Sequence, residues 1–262
     1  MMVDLEALVS GVLDYLPVFI RVTSFLFALP IWGRGVPPQA RLGLGAAITL
    51  ILAPVVPVPP AGETLAAFFL TSAVEALVGL AMGLVVTTVM MAVYLAGQFI
   101  DVPMGFGMVN VMDPQMGAEI PIVAQFQFVV AILIFFLIDG HHGLFRSLAQ
   151  SFAVMPVGGA GMSGAVADVA LEMIRSMFLL GFRIALPVVA ALFLTDVALG
   201  IVARAVPQIN VFFVGFPLKV GLGMVLLIAA LPAFVMLVAT AFGGSGELGR
   251  LLDAMVRALG GV

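Results

Sequence analysis

Apolar residues fill six stretches of the chain, roughly residues 8–32, 42–58, 65–97, 120–138, 169–203 and 209–242, and polar residues gather in the short connections between them. A helix that spans a membrane needs about 20 apolar residues, so the pattern reads as a set of apolar helices. The third, fifth and sixth stretches are too long for one plain crossing. They must tilt, kink, project beyond the bilayer or fold back. Prolines mark the expected breaks: Pro17 and Pro30 in the first stretch, Pro187 in the fifth, Pro217 and Pro232 in the sixth. Breaks at membrane depth are tolerated where protein or water satisfies the freed backbone groups. No alternation of period two persists, and the expected fold class is an all-α polytopic membrane protein.

The connections differ in kind. Residues 33–43, GRGVPPQARLG, form a turn carrying two arginines, and residues 57–63, PVPPAGE, form a stiff proline turn. Residues 155–168, MPVGGAGMSGAVAD, are the most flexible stretch and the expected boundary between two subregions, 1–165 and 166–262, of a single membrane domain. Asp4 and Glu6 stand where a secretory signal carries basic residues, so the first stretch reads as an uncleaved anchor. Basic residues do not decide the orientation. Arg34 and Arg41 favour one side, while Arg250 and Arg257 favour the other if there are six crossings.

One segment departs from the oily pattern. Residues 104–121 read MGFGMVNVMDPQMGAEIP, with Met104, Met108, Met112 and Met116 at every fourth position and Gly105, Gly107, Pro114 and Gly117 among them. Methionine is unbranched and adaptable and fills irregular gaps. Glycine adds backbone freedom, Asp113-Pro114 favours a tight turn, and Phe106 adds bulk.

Composition confirms the membrane reading. Of 262 residues, 63% are hydrophobic and 9% charged, and the mean hydropathy is +1.29. A soluble domain carries about 25% charged residues. Ten basic and fourteen acidic residues give a net charge of −4. That balance offers nothing to nucleic acid, and no basic cluster would grip anionic lipid. The absence of cysteine excludes disulfides, thiolate metal sites and thiol catalysis.

Several charges nevertheless lie inside the apolar stretches: Asp14, Arg21, Glu75, Arg175, Arg183, Asp196 and Lys219, with Arg204 just beyond. A charge at a helix centre costs about 2.5–3.5 kcal/mol, against about 0.3–0.6 gained per Leu or Phe. These residues pair within the chain or snorkel, face other subunits in an assembly, or form an ion relay. Glu75 stands beside Gly79 and Gly83, a GxxxG spacing that lets two helix backbones approach closely.

Residues 138–143, IDGHHG, hold the only two histidines. Neighbouring helix positions diverge by about 100°, so His141 and His142 do not easily converge on one ion. Asp139 and His142 could share a face, yet a structural zinc site takes four ligands. A helix end capped by Asp139 and the histidines is the simpler reading, and no cofactor or metal is expected. There is no nucleophile elbow and no phosphate-binding glycine loop.

The tail, residues 245–259, is amphipathic. Leu248, Leu251, Leu252, Met255 and Leu259 share one face of a helix. Ser245 suits its cap, Glu247 its first turn, Asp253 and Arg257 a surface pair, and Gly260-Gly261 its end. A helix this short is marginal unless its face is packed. It lies on a membrane surface or docks on a partner, and the weak net charge favours docking.

Five stretches together resemble one family. Residues 96–123 (AGQFIDVPMGFGMVNVMDPQMGAEIPIV), 135–158 (FFLIDGHHGLFRSLAQSFAVMPVG) and 194–223 (LTDVALGIVARAVPQINVFFVGFPLKVGLG) are similar to the FliR family of flagellar type III export subunits, as are residues 21–44 and 75–83. The resemblance covers nearly the whole chain in order. It implies a non-enzymatic export-gate subunit in the bacterial inner membrane at the flagellar basal body, assembled with FliP and FliQ. FlhB would wrap the gate, FlhA would lie beneath it, and unfolded flagellar proteins would pass through. It implies bent helical hairpins, FliP-like over residues 1–165 and FliQ-like over 166–262. It also implies that Met104, Gly105, Phe106, Gly107, Met108, Val109, Asn110, Met112, Asp113, Pro114, Gln115 and Met116 plug the pore. Arg21, Glu75, Arg183, Asp196, Arg204 and Lys219 would then serve assembly, and the tail would dock on a neighbouring gate subunit or FlhB. A secondary transporter with broken helices is the alternative, but no matching half-repeats are present. An intramembrane enzyme lacks a catalytic pair.

Overall fold

A computed structural model describes residues 14–32, 35–58, 64–106, 121–159, 161, 164–208 and 210–261. Every regular element among them is helical. The order is α1 (Leu16–Ala28), a 3-10 turn (Pro30–Trp32), α2 (Pro38–Leu52), α3 (Leu65–Met104), α4 (Ile122–Leu137), α5 (Gly140–Val154), α6 (Ala165–Ala205), α7 (Val211–Phe242) and α8 (Glu247–Gly260). The chain divides into two compact units. The first holds residues 1–88, 139–173 and 243–262, and the second residues 89–138 and 174–242.

Helices α3, α6 and the run beginning at Phe213 are long and apolar enough to cross a membrane, and α4 with α5 would add a fourth span if counted together. At about 1.5 Å per residue, the 40 residues of α3 and 41 of α6 reach about 60 Å, twice the roughly 30 Å hydrocarbon core. The first two apolar stretches yield only α1 and α2, with 13 and 15 residues. At about 20 Å each, these are shorter than the core.

The prolines act differently from the sequence expectation. Pro17 sits in the first turn of α1, where its missing N–H costs nothing, and α1 ends at Ala28 just ahead of Pro30. Pro187, Pro217 and Pro232 break nothing: α6 and α7 run through them. Each removes a single backbone hydrogen bond, and the apolar helix continues on both sides because an unpaired backbone is worse in lipid than a bent one.

In the first unit, α1 packs against α2 and against the first part of α3. Gly45 of α2 faces Thr23, and Tyr15 Oη donates to the Ala53 carbonyl at 3.2 Å. The Gly79–Gly83 spacing forms a true crossing. A Cβ on Gly79 would stand 2.3 Å from the Arg21 carbonyl oxygen and 2.9 Å from the Phe25 nitrogen, and one on Gly83 would stand 3.0 Å from the Phe25 carbonyl oxygen. Thr87 Oγ1 donates to the Ala28 carbonyl at 2.6 Å. The core here gathers Val18, Val22, Phe25 and Leu26 with Val78, Met82, Val85 and Val86. Because the obstruction at Gly79 is backbone, no rotamer change relieves it. Gly79→Ala is expected to destabilise the protein by about 1–3 kcal/mol, read as a lowered melting temperature in detergent. Ala at Gly43, which has open space around it, is the control and should leave the melting temperature unchanged.

Candidate functional site

Arg21 and Glu75 are both fully buried, on α1 and α3, and pair through Arg21 Nε. Arg21 Nη1 donates to Ser151 Oγ at 3.2 Å and Nη2 to the Met155 carbonyl at 3.1 Å. The guanidinium also lies 4.1 Å from the centre of the Phe152 ring. Glu75 Oε1 accepts the Gly158 N–H at 2.9 Å, from a turn in which Gly158 has φ +79°. A buried ion pair offsets its desolvation only when the remaining donors and acceptors are also satisfied. Here α5 and the turn after it supply those partners.

A second carboxylate organises the base of the methionine-rich segment. Asp101, near the end of α3, is 4% exposed. It accepts the backbone N–H of Val123 at 2.9 Å and of Ala124 at 3.1 Å. These are orphan donors at the start of α4, whose own N-cap residue, Pro121, offers no side-chain bond. Gly97, one turn earlier, allows this approach: a Cβ there would stand 2.1 Å from the Ala124 Cα. The two ends of the segment are thereby tied together. Met104 is fully buried against Gly223 of α7. Gly105 takes φ +92° beside the Phe216 ring, and Phe106 is half-buried. Gly107, Met108, Val109, Asn110, Met112, Asp113, Pro114, Gln115 and Met116 lie outside the described residues.

The other charges fall in different settings. Asp196 of α6 pairs with Lys219 of α7. Arg183 is exposed and lines a crevice in the second unit. Arg204 is exposed in the last turn of α6, where a cation suits the helix dipole.

The apolar face of the tail is covered within the chain. Leu248, Leu251, Leu252, Met255 and Leu259 are all buried, and α8 packs on α5. The Gly161 N–H donates to the Leu259 carbonyl at 2.9 Å. Gly246 rather than Ser245 occupies the N-cap position, and no side chain caps the helix. In place of an Asp253–Arg257 pair, Arg250 bridges Glu247 at 2.6 Å and Glu172 at 3.2 Å. Gly261, at φ +70°, ends the helix as its sequence suggests.

Asp139 stands at the N-cap of α5 with φ +56°, but its side chain makes no cap bond. Its Oδ1 lies 3.4 Å from His142 Nδ1. The His141 and His142 rings do not diverge as ordinary helix neighbours would. Their centres are 4.2 Å apart. The three side chains bring ligand atoms within 4.8 Å of one another, short of the four ligands of a closed zinc site.

Asp101, Gly97, Ser151 and Gly223 were not evident from sequence. Gly97 and Asp101 share a helix face at i, i+4, which is the one local signal that could have found them.

The family model described as bacterial export proteins, family 1, matches residues 12–245. The chain is 38% identical over 255 residues to the flagellar biosynthetic protein FliR of Bacillus subtilis strain 168, covering 94% of this chain and 98% of that protein. The chain belongs to the FliR family of bacterial export proteins. The FliR proteins of Escherichia coli K12 (33% identical, 81% of this chain and 82% of that one) and Aquifex aeolicus (30%, 87% of each) span most of the same length. As a FliR family member the chain is a non-enzymatic membrane subunit of flagellar protein export, seated in the inner membrane at the flagellar basal body. The family takes part in the flagellar type III export apparatus.

Breaking one side of the buried pair leaves a charge stranded. Arg21→Met or Glu75→Leu alone is expected to cost roughly 3–5 kcal/mol. The double variant should recover a substantial part of that loss, since no unpaired charge remains. Thermal melts of the four proteins in one detergent form the double-mutant cycle that checks this.

Proposed function

We propose that residues 104–116 close the export pore when no substrate is in transit, and that the Asp101 carboxylate sets the position of that closure. The observation that carries the reading is the clamp at the base of the segment, where one side chain on α3 holds the first turn of α4. A segment tied at its base and rich in Met and Gly can yield to a passing polypeptide and re-form afterwards. Met104, seated against Gly223, anchors its first residue.

In this reading the chain assembles with FliP and FliQ, with FlhB and FlhA adjoining, and unfolded flagellar proteins cross through the gate. Residues 1–165 form its FliP-like part, and residues 166–262 a FliQ-like hairpin with the tail folded back. The α6–α7 hairpin and its Asp196–Lys219 bridge support that division. The apolar exposure of these two helices supports burial in an assembly. In the most apolar window of α3, 56% is buried within the chain, against 28% in α6 and 17% in the run from Phe213. A surface that large and apolar is covered by lipid or by other subunits.

Deleting residues 105–112 is expected to raise ion conductance through the idle gate in planar-bilayer recordings, and Asp101→Ala to raise it to a lesser degree. A deleted gate as tight as the parent would sink the plug assignment.

A further inference from the structure

A crevice of about 300 Å³ opens among α4, α6 and α7, wholly within the second unit. Its walls are apolar, with Phe126 of α4, Ile184 and Val188 of α6, and Leu227, Leu231 and Phe234 of α7. Two lining side chains are polar. Gln127 is 5% exposed, and its Oε1 is buried with no hydrogen-bond partner among the described residues. Arg183 is exposed, and among the described residues no carboxylate pairs with it. A cation on an apolar helix requires an anion or water. A buried amide requires a hydrogen-bonding group. Neither finds its partner among the described residues, in surroundings that are otherwise apolar.

We propose that the crevice holds one acyl chain of an anionic phospholipid, with the lipid phosphate on Arg183 and a headgroup hydroxyl donating to Gln127 Oε1. The apolar walls suit an alkyl chain. The guanidinium fork matches phosphate geometry, and the bond is charge-assisted at both ends. Gln127 Oε1 needs a donor, and a hydroxyl of a glycerol headgroup supplies one. A net-anionic headgroup is favoured because Arg183 has no counter-ion among the described residues, and a zwitterionic headgroup brings its own cation. Within a bilayer the alkyl chain gains little by leaving its neighbours, which are equally apolar, so the headgroup decides the selection. Arg183 then meets a lipid phosphate in place of the subunit carboxylate that the sequence leads one to expect.

The test uses the full-length chain in nonionic detergent and native mass spectrometry, with dioleoylphosphatidylglycerol and dioleoylglycerol as probes. One phosphatidylglycerol is expected to stay bound per chain and dioleoylglycerol, which lacks the phosphate, to dissociate. Arg183→Gln should weaken retention at least tenfold, while Arg204→Gln, which removes a cation outside the crevice on the same helix, should leave it intact. Ala233→Phe, which fills the crevice and keeps Arg183, should also abolish retention. Equal retention of the two lipids overturns the proposal, as does retention that survives both Arg183→Gln and Ala233→Phe. So does an Arg183→Gln protein that keeps its lipid but loses a co-purifying subunit, which would assign Arg183 to a protein carboxylate. The proposal requires only that the chain lies in a membrane, so its failure would leave the export reading untouched.

Discussion

The first unit is organised around a charge that cannot be left alone. Arg21 is fully enclosed, and a bare guanidinium in such a place would carry an uncompensated desolvation cost. It is held by Glu75, Ser151, the Met155 carbonyl and the Phe152 ring, so α1, α3, α5 and the following turn share one fixed register. A helix that slipped by one residue would rotate its side chains by about 100° and strand the pair. Apolar packing tolerates rearrangement at similar volume; this network does not. The Gly79–Gly83 crossing serves the same end by bringing the α1 backbone close enough for Glu75 to reach Arg21.

The second unit adds close approach at small residues to its Asp101 clamp and Asp196–Lys219 pair. Gly97 admits the α4 backbone, Gly181 lies close to the Ala92 carbonyl, and Gly223 receives Met104. Without a hydrophobic drive between helices inside lipid, close backbone approach and van der Waals contact carry the association. Stacking of Phe99 on Phe182, with ring centres 4.7 Å apart, adds to it. The outward faces of α6 and α7 keep large apolar side chains such as Leu194, Ile201, Ile228 and Met236 exposed, as suits a subunit whose surroundings are not water.

What was legible in the sequence was local. The apolar stretches marked every helix but α5 and α8, and spacing marked the apolar face of the tail, because both follow from the pattern along one element. The GxxxG spacing pointed to a crossing for the same reason. Arg21 and Glu75 stood out as charges in oil, but their partners lie up to 134 residues away, and no spacing rule reaches that far. Prolines misled because a membrane helix bends around a lost hydrogen bond instead of ending. The histidine pair misled because the divergence of neighbours on a regular helix does not describe a first turn that begins from left-handed Asp139. The tail's docking face was evident, but not that its mate is α5 of the same chain.

The first unit is built from the beginning, middle and end of the chain. A ribosome makes Arg21 first, Glu75 54 residues later, Ser151 130 residues after Arg21, and α8 last of all. Helix α1 is therefore made before the partners of its charge exist, and the unit closes only once α8 has followed. A chain cut short before α8 leaves bare the side of α5 on which that helix rests. The order in which these segments are made is thus also the order in which the partners of one buried charge arrive.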